Sequence, residues 1–233
     1  MKNDIGGLVY LSGGGDADKT KIIDSLFLEN LSKKKILFIP LAKTTDVNGY
    51  KKSHSWLSDK LNKLSKDFVD VSMILDLDKC KNINNFSAVY IGGGNTYKLL
   101  KLMNDSDFLS ILRKYIKDGG VVYGASAGAV MMGKDISTYI EEKYLLENEK
   151  HNYNLTEGMA LVGNYSIITH FHEDDYGKVE KYIKRKNNPV IAIPVGVAVL
   201  LKNNSMVVVG DEPVTIFTID GSIKKVMPND TVF

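Results

Sequence analysis

One serine lies where an apolar, β-branched stretch gives way to small residues: Ser126, within Gly124-Ala125-Ser126-Ala127-Gly128. The residues before it, Val121 to Tyr123, predict a short buried strand, and the small residues after it predict the start of a helix. The five residues fit the G-x-S-x-G pattern of a nucleophile elbow, a sharp turn that presents a serine hydroxyl. Glycine on either side would prevent a clash with the neighbouring strand and helix. The alternative is a strand-to-helix turn whose serine is idle.

A nucleophilic serine needs a neighbouring base, and the chain contains four histidines. His54 and His151 lie in polar surroundings, and we expect both to be solvated. His170 and His172 follow the apolar run 167–169, at the end of a predicted strand, where α/β folds place their chemistry. Residues two apart on a strand point the same way, so both can reach a crevice if the strand continues. We favour His170, because it directly follows the buried run.

Two other roles involve the residues around these histidines. A metal site formed with Glu173 or Asp174 has suitable ligand types, but the segment lacks a helical H-E-x-x-H arrangement, and we expect no metal. A catalytic histidine is usually oriented by an acid, and Glu141 and Glu142 follow the elbow by about fifteen residues. Adjacent carboxylates on an extended segment face opposite ways, so at most one of them orients His170.

Two predicted strands end in glycine-rich segments, Ser12 to Gly15 and Gly92 to Thr96. The first segment lacks both the G-x-G-x-x-G spacing of a dinucleotide site and a Walker lysine, and we expect no cofactor. Glycines at the carboxyl end of a strand can instead form the wall of an active-site crevice and present free backbone N–H groups to an oxyanion. A purely structural turn is the alternative for the second segment.

The order of predicted elements indicates an α/β fold in a single domain, 1–233. Apolar strands alternate with amphipathic helices, which is typical of a parallel sheet covered on both faces. We expect a helix from about Ser53 to Leu64, a polar loop from Glu147 to Glu157 and a charged surface helix from Asp174 to Arg185. The short strands that follow are separated by hairpin signals at Asn203-Asn204, Gly210-Asp211 and Asp220-Gly221, so some of the C-terminal strands should be antiparallel.

Composition narrows the functional class. Apolar residues make up 44% and charged residues 25% of 233 residues, with a formal net charge of +2, which gives little reason to expect nucleic-acid binding. We see neither a signal peptide nor an apolar run long enough to span a membrane, and we expect a cytoplasmic protein. The lone Cys80 has no disulfide partner and no C-x-x-C motif. The oligomeric state stays open, with a homodimer as one alternative.

Four segments together resemble the peptidase E (aspartyl dipeptidase) and cyanophycinase-like serine peptidases: LSGGG at 11–15, IGGGNTYKLL at 91–100, GASAGA at 124–129 and THF at 169–171. The resemblance implies a class I glutamine-amidotransferase-like three-layer α/β sandwich with a Ser-His-Asp or Ser-His-Glu triad. It implies Ser126 as nucleophile and His170 as base, with Glu141 at about the family's distance for the acid.

The same resemblance implies a backbone oxyanion hole. Its donors would be the N–H of Ala127 and that of Gly93 or Gly94, with Asn95 completing the G-G-G-N loop. A short peptide is then the expected substrate.

Substrate specificity depends on the residues that follow the histidine. Dipeptidases of this family favour an N-terminal aspartate, which needs a cation just beyond the histidine. Here that segment is acidic before its first lysine, Lys178, so Lys178 or Lys181 would have to serve, and specificity for Asp-X peptides stays open.

Three rival functions stay open beside an intracellular serine peptidase. A glutaminase uses a thiolate where this chain has serine. An α/β-hydrolase esterase normally places its histidine after the last strand, whereas several predicted strands follow His170. A non-catalytic binding protein would keep the pocket and use none of these groups for chemistry.

Overall fold

The computed structural model describes residues 5–138, 142–203 and 205–232. Within these residues the strands are β1 (Leu8–Ser12), β2 (Lys35–Ile39), β3 (Asp70–Met73), β4 (Ala88–Ile91), β5 (Val121–Ala125), β6 (Ser166–Thr169), β7 (Val190–Ile193), β8 (Ala198–Lys202), β9 (Ser205–Val209), β10 (Val214–Phe217) and β11 (Ile223–Val226). The α-helices are α1 (Lys21–Glu29), α2 (Val47–Leu64), α3 (Thr96–Asp105), α4 (Phe108–Lys117), α5 (Ala127–Val130), α6 (Glu142–His151) and α7 (Tyr176–Lys186). Short 3₁₀ turns cover Leu77–Lys79 and Glu173–Asp175.

Seven strands of the described chain form a large sheet in the order β3-β2-β4-β5-β1-β8-β9. Neighbours from β3 to β1 are parallel, whereas β8 and β9 are added antiparallel. The central strands β4 and β5 are buried on both faces, which explains why they are apolar without alternation. The predicted α/β fold, with a mostly parallel sheet and antiparallel C-terminal strands, is confirmed.

Aromatic side chains fill the face of the large sheet beneath α1 and α2. Tyr10, Tyr123 and Tyr90 are register neighbours on β1, β5 and β4. The rings of Tyr90 and Tyr123 stack with centroids 4.5 Å apart, and Phe27 from α1 packs edge-on against Tyr123 at 5.2 Å. These contacts fix β5, the strand that ends at Ser126, against its neighbours.

A second sheet and the helices α3 and α4 cover the opposite face of the large sheet. In the described residues this second sheet has four strands in the order β11-β10-β7-β6, with β6 and β7 parallel and the other pairs antiparallel. Val179 and Tyr182 of α7 cover its outer face, packed against Ile168 and Phe171. His170 follows β6, so it belongs to a different sheet from Ser126.

Two of the three hairpin predictions are confirmed, and the third is wrong. β8 pairs with β9 and β10 pairs with β11 across the predicted turns. Gly210-Asp211 instead connects the two sheets, because β9 belongs to the large sheet and β10 to the small one. Gly210 has a φ of 130°, and a Cβ atom there would lie 2.7 Å from the carbonyl oxygen of Gly196. A close backbone approach therefore requires this glycine.

Two predicted helix boundaries differ from the structure. α2 begins at Val47 rather than Ser53, because the side chain of Asp46 accepts a hydrogen bond from the N–H of Gly49 and caps the helix. The predicted loop from Glu147 is helical as far as His151, at the end of α6. This helix is mostly polar, so its sequence carries little amphipathic signal, and contacts from Glu147 and Asn148 to other elements hold it.

The parallel strands place their carboxyl ends on one edge of the large sheet. Both glycine-rich segments and Ser126 follow strands of this sheet, β1, β4 and β5. α7 forms where the surface helix was predicted, beginning two residues later at Tyr176. None of the helices in the described ranges is long and apolar enough to cross a membrane.

Candidate active site

Ser126 sits on a strained turn between β5 and the four-residue helix α5, with φ of 51° and ψ of −110°. A Cβ atom at Gly124 would lie 2.6 Å from the carbonyl oxygen of Gly128, and one at Gly128 would lie 2.6 Å from that of Ile91. Both glycines are therefore required by close backbone contacts, as the elbow pattern predicts. The turn leaves Ser126 half-buried at the edge of the crevice.

The imidazole of His170 faces this serine, with 2.8 Å between Nε2 and Ser126 Oγ. β6 ends at Thr169, and His170 adopts a left-handed conformation with φ of 54°. Its N–H donates to the carbonyl of Gly13 at 3.3 Å, and the next N–H, of Phe171, donates to Ile193 at 3.2 Å. These bonds hold the strand end of the small sheet against the first glycine-rich loop of the large one.

That first loop forms a wall of the site, as expected. The N–H of Ser126 donates to the carbonyl of Ser12 at 3.0 Å. A Cβ atom at Gly14 would lie 2.7 Å from Cε1 of His170 and 3.5 Å from Cβ of Ser126. Glycine therefore leaves room for the histidine beside the serine.

The second loop flanks Ser126 from the other side. A Cβ atom at Gly93 would lie 3.1 Å from Cβ of Ser126 and 3.5 Å from its Oγ. Gly94 has a φ of 143° and lies against the carbonyl of Ala42. Within the described residues the N–H groups of Gly93, Gly94 and Ala127 have no hydrogen-bond acceptor. Free donors beside a serine hydroxyl are suited to a negatively charged oxygen.

Asn95 supports this loop from behind and is fully buried. Its Oδ1 accepts from the N–H groups of Tyr97 and Lys98 and caps α3. Its Nδ2 donates to Glu147 at 2.9 Å and to Asn148 at 2.8 Å. The side-chain amide of Asn95 therefore bonds to α3 and α6, and its role is to hold the loop in place. No local sequence signal predicts that Asn95 contacts α6, because its partners there lie about fifty residues away in the chain.

His172 and Lys178 also line the cavity that contains Ser126. The backbone N–H of His172 donates to Asp175 at 3.1 Å, and Lys178 forms an ion pair with Asp175 at 2.6 Å. Partial burial acts to raise the pKa of Asp175, but the bonds from Lys178 and His172 outweigh it and hold that pKa below its usual value. Strand alternation does not relate His172 to His170, because the left-handed turn at His170 ends the strand.

The remaining histidines are not among the residues that line the cavity, and only His151 is solvated as predicted, because His54 is half-buried. Nε2 of His54 lies 2.6 Å from the carbonyl oxygen of Val71, and His151 stacks on Tyr153 at the end of α6. Cys80 is buried, and burial raises the pKa of its thiol.

The cavity has a volume of about 850 Å³, large enough for a short peptide. It extends from His172 past Ser126 to Ser53 and Trp56 on α2, and Lys43 lies in its lining. Neither Trp56 nor Lys43 was predicted to belong to the site, because both come from segments without a recognisable motif.

The predicted acid, Glu141, lies outside the described residues. α6 begins at Glu142, whose side chain also lies outside them. The described chain before this point ends at Thr138, which lines the cavity and donates its hydroxyl to the carbonyl of Ile167 on β6 at 2.9 Å. In residues 5–138, 142–203 and 205–232, no group of three His, Cys, Asp or Glu side chains is arranged to hold a metal ion.

Comparison with known proteins matches this arrangement to one family. The chain is 27% identical to Peptidase E of Shewanella putrefaciens over 190 residues, which cover 79% of this chain and 78% of that one. It is 23% identical to a probable alpha-aspartyl dipeptidase of Drosophila melanogaster over 162 residues, 65% of each chain.

Two solved structures share the fold. A peptidase from an acI-B1 Actinobacterium superposes with a TM-score of 0.70 at 18% identity, covering 99% of this chain and 98% of that one. A putative Peptidase E protein from Listeria monocytogenes superposes with a TM-score of 0.65 at 20% identity, covering 87% and 97% respectively. The sequence profile of Peptidase family S51 matches residues 8–209, and the chain belongs to this family.

Proposed function

We propose that this protein is a serine peptidase that hydrolyses short peptides. The observation that carries the proposal is the 2.8 Å separation between Nε2 of His170 and Oγ of Ser126. At this distance the imidazole can accept the hydroxyl proton as the oxygen attacks a carbonyl carbon. The membership of Peptidase family S51 supports the same chemistry.

The reaction would proceed in two stages. Ser126 Oγ bonds to the carbonyl carbon while His170 takes its proton, and the carbonyl oxygen becomes negatively charged in a tetrahedral intermediate. Collapse of this intermediate breaks the peptide bond, and His170 gives its proton to the leaving amine. A water molecule, deprotonated by His170, then attacks the acyl carbon. The bond to Ser126 Oγ breaks, His170 returns the proton to Oγ, and the acid product leaves.

The negative oxygen would be stabilised by backbone donors. The N–H groups of Gly93, Gly94 and Ala127, which have no acceptor among the described residues, belong to the segments around Ser126. One oxyanion-hole donor is worth on the order of 10² to 10³ in rate. Fixed dipoles of this kind need no reorganisation when the charge develops.

The acid of the triad is proposed to be Glu141. Thr138 is hydrogen-bonded to β6, the strand that leads to His170. Glu141 follows Thr138 by three residues in the sequence. Glu142, the adjacent carboxylate, is the rival for the same role.

A fluorophosphonate probe tests the proposal directly, since it labels only activated serines. We expect the intact protein to be labelled at Ser126 and to hydrolyse dipeptides, and Ser126→Ala and His170→Ala to lose both properties. Ser53→Ala and His172→Ala are matched controls, because both residues line the same cavity, and both variants should keep labelling. Folded protein that resists the probe and cleaves no peptide would instead be a binding protein. Labelling with hydrolysis of esters but not peptides would identify an esterase.

A further inference from the structure

One carboxylate joins two loops beside the candidate active site. Glu147 lies on α6, and its Oε2 accepts hydrogen bonds from the hydroxyl of Thr44 at 2.6 Å and from Nδ2 of Asn95 at 2.9 Å. Thr44 belongs to the loop between β2 and α2, and Asn95 belongs to the glycine-rich loop that flanks Ser126. The same oxygen atom therefore connects two segments that are distant in the chain.

The two loops are also in direct backbone contact. The N–H of Asn95 donates to the carbonyl of Ala42 at 2.7 Å, and Ala42 is fully buried. A Cβ atom at Gly94 would lie 2.3 Å from the same carbonyl oxygen. The glycine-rich loop therefore lies against the β2–α2 loop, and Glu147 links side chains of both loops close to the point where their backbones meet.

The position of the glycine-rich loop matters because of its donors. Gly93 is packed against the nucleophile, since a Cβ atom there would lie 3.1 Å from Cβ of Ser126. The N–H groups of Gly93 and Gly94 have no acceptor among the described residues. A donor stabilises a negative oxygen only within hydrogen-bond distance, and a displacement of about 1 Å costs on the order of 10²-fold in rate.

The carboxylate of Glu147 is suited to hold both loops. Partial burial acts to raise its pKa, but hydrogen bonds from Thr44 and Asn95 and the positive charge of Lys98 outweigh it and hold that pKa below its usual value. Glu147 is therefore ionised near neutral pH, and hydrogen bonds to an ionised acceptor are the stronger ones. Because Asn95 is fully buried, bulk water does not replace a bond that it loses.

We propose that Glu147 is a positioning residue that fixes the backbone donors of the oxyanion hole relative to Ser126. The inference rests on the proposed peptidase function and adds a residue that acts on the reaction through Asn95 and Thr44. The negative oxygen exists only after Ser126 has attacked the carbonyl carbon. Loss of Glu147 should therefore leave substrate binding unchanged and weaken the binding of the transition state.

The kinetic test compares Glu147→Ala with Glu149→Ala, a control at an exposed residue of the same helix. With Asp-Leu and Ala-Leu as substrates, we expect Glu147→Ala to lower kcat about tenfold to a hundredfold and to change KM by about twofold at most. Glu149→Ala should keep both values. Glu147→Gln should retain most of the activity, because its amide oxygen can accept from both Thr44 and Asn95.

Thr44→Val supplies a second variant that keeps the shape of the side chain and removes its hydroxyl donor. If Glu147 acts in part through Thr44, this change should lower kcat in the wild type and have little further effect in Glu147→Ala. Additive losses in the double variant would show that the two residues act independently, which would contradict the link between the loops.

An aminoboronic acid reports on the oxyanion site itself. Ser126 Oγ bonds to the boron while its proton passes to His170, and the resulting tetrahedral boronate carries the negative charge of the intermediate. In Glu147→Ala the affinity for this compound should fall by the same factor as kcat. Calorimetric binding of the two dipeptides to Ser126→Ala should not change when Glu147→Ala is added. Equal losses of boronate and dipeptide affinity would reveal a general structural defect and overturn the positioning role, as would a rise in KM alone or an unchanged kcat.

Amide exchange tests the same role without turnover. Intact protein that cleaves neither dipeptide and resists the fluorophosphonate probe would overturn the peptidase function. The N–H groups of Asn95, Tyr97 and Lys98 are hydrogen-bonded in the structure, to Ala42 or to the side chain of Asn95. In hydrogen–deuterium exchange, the segment 91–98 should exchange faster in Glu147→Ala than in Glu149→Ala. Equal exchange in the two variants would overturn the positioning role whether or not the protein is a peptidase.

Discussion

Gly14 and His170 are in direct contact: a Cβ atom on Gly14 would lie 2.7 Å from Cε1 and 3.1 Å from Nε2 of the imidazole. The loop that carries Gly14 follows β1 in the large sheet, whereas His170 follows β6 in the small one. Ser126 and His170 therefore come together from two different sheets. Because Gly14 has no side chain, the imidazole has room to lie beside Ser126. The loop that carries Gly14 therefore helps to set the distance between Ser126 and His170.

Gly14→Ala should reduce activity far more than stability. The new Cβ would push the imidazole away from Ser126, and a displacement of about 1 Å costs on the order of 10²-fold in rate. Because φ at Gly14 is 87°, alanine there should also lower the free energy of unfolding by about 1 kcal/mol.

Gly119→Ala is the matched control for this variant. Gly119 has a φ of 99°, and nothing lies within 4 Å of a Cβ atom there. We expect a similar loss in urea denaturation and an unchanged kcat/KM. Similar activity in the two variants would show that the contact between Gly14 and His170 does not matter for function.

Lys60→Met should destabilise the protein strongly. Nζ of Lys60 lies 2.7 Å from Asp24 Oδ2, and the two side chains are 2% and 0% exposed. Burial raises the pKa of Asp24 against the opposing effect of Lys60. Removing the lysine leaves a buried carboxylate without its cation, at a cost of about 3 to 5 kcal/mol in the free energy of unfolding.

The double variant Asp24→Asn with Lys60→Met separates charge from packing. Because it removes both charges, we expect it to recover a large part of the stability lost in Lys60→Met, as measured by urea denaturation. Equal losses in the single and double variants would mean that the packing of the lysine stem contributes more to stability than the charge does.

Asp135→Asn should weaken the acid dependence of stability. Partial burial acts to raise the pKa of Asp135, but hydrogen bonds from Ser137 and Lys186 outweigh it, so the pKa lies below its usual value of 3.8. A depressed carboxyl pKa contributes stability that is present above the unfolded-state value and is lost as the pH falls through the folded-state value. The wild type should therefore lose stability on acidification below about pH 4 in part through this group.

The measurement is the melting temperature as a function of pH. Asp135→Asn should start lower at pH 7 and fall less steeply in acid than the wild type. Lys186→Met, which removes a bond of 3.0 Å to Oδ2, should flatten the same part of the curve. Parallel curves for wild type and Asp135→Asn would contradict the assignment.

The sequence predicts the parts of this molecule that depend on local pattern. Gly124 and Gly128 belong to a recognisable five-residue pattern, and close contacts with the turn itself and with Ile91 of the adjacent strand require them. The apolar runs of β4 and β5 reflect burial on both faces. The contacts that it does not predict join residues far apart in the chain. Asn95 is occupied by Glu147 and Asn148 across about fifty residues, and α6 forms in a polar segment that predicts a loop. Lys43 lies in no recognisable motif, although it lines the cavity and its backbone nitrogen lies beside Gly94.

Ser126→Gly should stabilise the protein while abolishing hydrolysis. At φ of 51° and ψ of −110° a serine is strained, and residues held in such sparsely populated regions cost about 1 to 3 kcal/mol. Glycine adopts this conformation without a Cβ penalty, although part of the gain is offset by its greater freedom in the unfolded chain. A net gain of about 1 kcal/mol would raise the melting temperature by about 2 to 4 °C for a chain of this length. Ser126→Ala keeps the Cβ atom and the strain, so it should lose hydrolysis with a nearly unchanged melting temperature. If scanning calorimetry gave the same melting temperature for Ser126→Gly and Ser126→Ala, the backbone conformation at residue 126 would not be strained by a Cβ atom.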